Sequence, residues 1–75
     1  MSDNLRIKSI VDFLKNEKII RNQRDFVERI GGNYSVVSEI ISGKRKISER
    51  FVDNICEAFP FISKKWILNE EGEMI

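Results

Sequence analysis

The 75-residue chain has no histidine, a single cysteine (Cys56) and a single proline (Pro60). A lone thiol cannot close a disulfide within the chain. Without histidine there is no Cys/His zinc site and no imidazole for general-base catalysis. No apolar run approaches the roughly 18 residues of a membrane span, and the opening "MSDNLRIKSIVDF" lacks the apolar stretch of a secretory signal. Catalytic signatures are missing too. "SGKRK" carries the Gly-Lys pair of a phosphate-binding loop, but the glycine required five positions before Gly43 is Ser38, and no strand precedes it. There is no G-x-S-x-G, and the carboxylates are scattered rather than paired in an apolar setting. These absences predict a soluble cytoplasmic protein that is not an enzyme and has no cofactor, no metal and no membrane partner.

What remains is an ordinary globular composition, 41% hydrophobic and 33% charged. A chain of this length buries only about 60% of the surface its unfolded form exposes, which leaves no room for a deep cleft with a lid. Residues 1–75 are therefore expected to form one small binding domain. The net charge of +1 points only weakly to a polyanionic partner, but it is unevenly spread: residues 1–46 carry +4 and residues 47–75 carry −3. Such asymmetry suits a molecule that turns one face to an anion and keeps the other away.

Helical periodicity runs through the whole chain, and no strand-like alternation of useful length interrupts it. Apolar residues at 7, 10, 11 and 14 predict a first helix over 5–16, with Ile19 and Ile20 tucking its end into the core. Asn22 caps a second, two-turn helix whose stripe is Phe26, Val27 and Ile30 and whose left-handed end is Gly31. Asn33 caps a third, with Val37, Ile40 and Ile41 inward and Gly43 beyond its end. Ser48 opens a fourth that buries Val52, Ile55, Cys56 and Phe59 before Pro60 stops it. Ser63 opens a short fifth, ending near Gly72, in which Trp66 is the expected core anchor.

The third helix is unusual on its outward side. Ser35, Ser38, Glu39 and Ser42 share that face. Serine is a mediocre helix former, so helix propensity does not account for three of them there. An α-helix just fits the major groove of B-form DNA, and a lean outward face lets it approach the base edges. Two short helices joined through Gly31, Gly32 and Asn33 also form the angled unit that presents such a helix.

The stretch from 22 to 46 resembles the helix-turn-helix domain of the phage-repressor and Cro family, also called the XRE family, and the resemblance extends over residues 5–69 as a whole domain. In that family a glutamine opens the second helix, a small residue follows four later and a glycine four after that, with an apolar residue in the third helix. Gln23, Val27, Gly31 and Val37 stand at those spacings, and "SGKRK" follows where the family often has a polar residue, glycine and basic residues. Val27 is bulkier than the usual alanine. Arg21 and Gly32 stand where apolar residues are usual, with Ile20 beside Arg21 to fill the space.

The resemblance implies an all-α, compact five-helix bundle of the lambda-repressor-like type, with the helix-turn-helix in helices 2 and 3. It implies a transcriptional regulator or repressor that binds double-stranded DNA through a recognition helix at about 34–42, as a homodimer on DNA. Tyr34, Ser35, Ser38 and Glu39 fall at base-reading positions, and Gln23, Asn33 and Ser42 at positions that touch the sugar-phosphate backbone. Lys44, Arg45 and Lys46 are phosphate partners by charge and location. The chemistry agrees, since serine bonds to several base edges and glutamate accepts from the N4 amine of cytosine.

Structural readings stand beside these. "KRK" is also the composition of a solvated loop, Glu39 can pair with a nearby cation, Tyr34 can pack on the turn, and Cys56 reads as an inert member of a buried stripe. The competing functional class is a protein-interaction module, an antitoxin or adaptor built on the same fold.

Overall fold

Each helix of the chain opens on a side chain that accepts a hydrogen bond from the backbone N–H three residues on. A computed structural model describes residues 2–75. It places α1 at Asp3–Asn16, α2 at Gln23–Ile30, α3 at Tyr34–Ile41, α4 at Glu49–Ala58 and α5 at Lys64–Asn69. The caps are Ser2, Asn22, Asn33, Ser48 and Ser63, with distances of 2.9–3.3 Å. Each satisfies one of the N–H groups that a helix start leaves without a partner. The described residues contain helices and turns, with no strand.

α2 and α3 also end alike. At α2, Gly31 takes φ +69° while Gly31 N–H donates to Glu28 O and Gly32 N–H to Val27 O. At α3, Gly43 takes φ +87° while its N–H donates to Ile40 O and Lys44 N–H to Glu39 O. This paired closure satisfies carbonyls that would otherwise be orphaned, and it turns the chain sharply out of the helix. Only Gly32 and the cap Asn33 then separate Gly31 from the first residue of α3.

The helices bury one continuous apolar cluster. Ile7, Ile10 and Leu14 of α1, Phe26 of α2, Val37 of α3, Val52 and Ile55 of α4 and Ile67 of α5 are all inaccessible or nearly so. Phe26 and Phe59 stack with parallel rings 5.9 Å apart between centroids. Ile20 enters this core while Arg21 stays outside. α1 packs against α3 and α5, α2 against α3 and α4, and α4 against α5. The radius of gyration of 11.0 Å equals the roughly 11 Å expected of a close-packed chain of this length.

Four sequence expectations need correction. α1 starts at Asp3, two residues earlier than its apolar periodicity indicates, because Ser2 caps it. α5 ends at Asn69, since Glu70 rather than a residue near Gly72 takes the left-handed terminal position, at φ +57°. Trp66 is half-buried against the core edge, and the residue that anchors α5 is the fully enclosed Ile67. Cys56 is likewise half-buried, its thiol donating to Ile62 O at 3.7 Å, and Phe51 takes the buried place on α4. Burial, assisted by the Asp53 carboxylate and opposed by Lys64, pushes the Cys56 thiol pKa up, which disfavours the reactive thiolate.

Two polar side chains of α1 tie the molecule together. Arg6 is 4% exposed. Its Nε donates to Ile67 O at 2.8 Å, its Nη1 lies 3.6 Å from Glu70, and its Nη2 pairs with Asp3. A guanidinium at the carbonyl end of α5 meets both the orphan acceptors and the negative pole of that helix. Asn4 Nδ2 donates to Ile40 O near the end of α3 and to Arg45 O in the loop beyond.

Candidate nucleic-acid interface

α3 is amphipathic in the sense its sequence announced. Val37 and Ile40 are buried, while Tyr34, Ser35 and Ser42 are exposed and Ser38 and Glu39 are partly exposed. Val36 and Ile41 pack at the margin of the core. The outward face is therefore hydroxyl-rich and carries few long side chains.

The start of the unit is tied by hydrogen bonds around Asp25. Asp25 is 8% exposed and accepts from Arg21 N–H at 2.9 Å, while its own N–H donates to the Asn22 cap. The Arg21 backbone bond, with the hydrogen bond and charge of Arg29 and the charge of Arg21, outweighs burial and holds the Asp25 carboxyl below its ordinary pKa. Gln23 follows as the first residue of α2, half-buried.

Asn33 uses its Oδ1 to cap α3, at 3.3 Å from Val36 N–H. Its amide N–H groups have no partner among the described residues. Tyr34 is 44% exposed, and the Arg24 guanidinium lies over its ring at 5.3 Å from the centroid. The ring is thus stacked on a cation rather than packed into the turn. Ser42 Oγ donates to Glu39 O at 3.1 Å, which helps to close the helix end.

The basic loop leaves directly from that end. Lys44, Arg45 and Lys46 are all exposed. Among the described residues Lys44 and Lys46 form no ion pair, whereas Arg45 Nη2 lies 3.1 Å from Glu39 Oε1. The pair leaves Glu39 with less charge to repel a polyanion than a lone carboxylate there would have. Cations consequently bracket the serine face: Arg24 beside Tyr34 at its start, and residues 44–46 after its end.

The ten residues singled out in the sequence lie on the first turn of α2, at the Asn33 cap, on α3, or on the segment that leaves α3. Arg24 and Asn4 were not among them. Arg24 carries no mark in its own segment, because its partner Tyr34 belongs to the next helix. Asn4 lies 36 and 41 residues from the carbonyls it holds, a separation that no local pattern encodes. Comparison of the chain with family models, with curated proteins and with solved structures finds no match.

Proposed function

We propose that the chain is a sequence-specific, double-stranded-DNA-binding regulator of the helix-turn-helix kind, acting in the cytoplasm as a repressor or related transcription factor. α2, the turn at 31–33 and α3 form the reading unit, and α3 enters the major groove. One observation carries this reading: the outward face of α3, with Tyr34, Ser35, Ser38, Glu39 and Ser42, is bracketed at both ends by exposed cations. Hydroxyls and an amide can meet base edges and sugar-phosphate groups, while Arg24, Lys44 and Lys46 neutralise phosphates. One helix spans only a few base pairs, so two copies on half-sites about one helical turn apart supply the affinity. The proposed dimer uses α5 and the acidic segment after Asn69. Selected sites should then be inverted repeats holding two chains per duplex.

The test is a titration of random and selected duplexes over a range of salt. Wild type should lose affinity steeply as salt rises. Lys44→Ala with Lys46→Ala should weaken every duplex alike and lower the salt slope by about two contacts. Tyr34→Ala and Ser35→Ala should each cost about 1–3 kcal/mol on the selected site and little elsewhere. Binding that ignores salt, or no duplex binding at all, would favour the protein-interaction class instead.

A further inference from the structure

We infer that Arg45 is a base-reading residue that recognises a guanine edge in the major groove, and that Glu39 and Asn4 are the positioning groups that aim it. The inference rests on the DNA-binding reading above and changes the role of both charged residues within it: Arg45 ceases to be a phosphate clamp, and Glu39 ceases to be a reader of cytosine.

The three neighbouring cations are not equivalent. Lys44 and Lys46 project from the loop with no ion pair among the described residues, as suits groups that follow a phosphate chain. Arg45 instead folds back. The left-handed Gly43 and the Lys44 N–H to Glu39 O bond at 2.8 Å reverse the chain at the end of α3. Arg45, six residues after Glu39, thereby returns its guanidinium to the outward face of the helix, 3.1 Å from the carboxylate.

Its backbone is fixed from the other side. Asn4 Nδ2 holds Arg45 O at 3.1 Å and also Ile40 O, so α1, the last turn of α3 and the loop are tied at one point. Both ends of the Arg45 side chain are thus constrained, while 51% of it remains exposed.

Donor arithmetic completes the argument. A guanidinium has five N–H donors in a planar fork. Glu39 is engaged at one nitrogen, Nη2. The donors that remain match the O6 and N7 acceptors of guanine, the most frequent specific contact that arginine makes. The same fork could clasp a phosphate, but Lys44 and Lys46 on either side already supply that charge, while Arg45 alone is folded back onto the outward face of α3. An acidic residue on a DNA-facing helix repels phosphates, and Glu39 is already engaged by Arg45 Nη2, so holding that reader in place gives it a physical reason to be there.

The experiment selects a preferred site from random duplexes with the full chain, then titrates duplexes changed one base pair at a time, at fixed salt. The proteins are wild type, Arg45→Lys, Arg45→Ala, Glu39→Gln and Lys44→Ala. At one G·C pair, Arg45→Ala should lose discrimination by roughly 5- to 150-fold, the range set by a good bidentate base contact. Binding to unrelated duplex should fall no further than with Lys44→Ala. Arg45→Lys should keep the salt slope and still lose most of the discrimination. Glu39→Gln should weaken preference at that same pair, and a sixth protein carrying both Arg45→Ala and Glu39→Gln should behave as Arg45→Ala alone.

Uniform weakening of all sequences by Arg45→Ala, with preference intact, would overturn the inference and leave the DNA-binding reading standing. Absence of salt-dependent binding by wild type would remove both. The altered side chains are solvent-exposed, and an unchanged melting temperature in each variant separates these outcomes from misfolding.

Discussion

Gly31 and Gly32 are adjacent and do different work. Gly31 holds φ +69°, where an L side chain crowds its own backbone. Gly32 is outside that region, and a Cβ there would meet Ile30 and Val37 at 3.5–3.6 Å, ordinary contact distance. Gly31→Ala should therefore destabilise the fold by about 1 kcal/mol. Gly32→Ala should be neutral or stabilise by about 0.4–1 kcal/mol, because it narrows the unfolded ensemble without strain. Urea unfolding midpoints of the two variants check this, and equal losses would refute it. Residue identity made Gly31 readable in advance. It could not reveal Lys18 and Glu70, which occupy the same left-handed region at φ +60° and +57°, since nothing about lysine or glutamate marks them for it. The candidate site divides similarly. The serines of α3 and the basic triplet announce themselves locally, whereas the Glu39–Arg45 pair and the Arg24–Tyr34 stack depend on how the chain turns after Gly43 and Gly31.

α5 shows how little of an element's stability is its own. Six residues fall well short of the length at which a helix persists alone in water. The serine cap was legible from Ser63, but the choice of anchor was not, because Trp66, Ile67 and Leu68 are all apolar and only packing selects among them. Ile67 is fully enclosed and Trp66 half-exposed. Ile67→Ala should cost about 2–5 kcal/mol, as expected for truncation in a closed core. Trp66→Ala should cost less, because its indole keeps water on one side. Thermal melts of both proteins decide the order. A larger loss from Trp66→Ala would mean that the core extends farther around α5 than its exposure indicates.

Across the whole molecule the packing runs α1 to α3, α3 to α2, α2 to α4 and α4 to α5, and the ring is closed by the first and last helices. Arg6 reaches Ile67 O across 61 residues, and Glu70 completes its setting. Without α5 the guanidinium would lose the Ile67 carbonyl and Glu70 as acceptors, and a buried charge that loses part of its hydrogen bonding is tolerated poorly. The order of synthesis gives this closure a consequence in time. α1 leaves the ribosome first with its guanidinium still hydrated, and the groups that receive it are among the last made. A nascent chain arrested with Ile67 inside the exit tunnel should remain sensitive to protease even though α2 and α3 have emerged. One carried clear of the tunnel by a flexible linker after Ile75 should resist. Resistance at the shorter length would show that α2 and α3 fold without the clasp. Sensitivity there would mean that α2 and α3 wait for the last helix, so that partial synthesis yields a chain without an ordered α3 face.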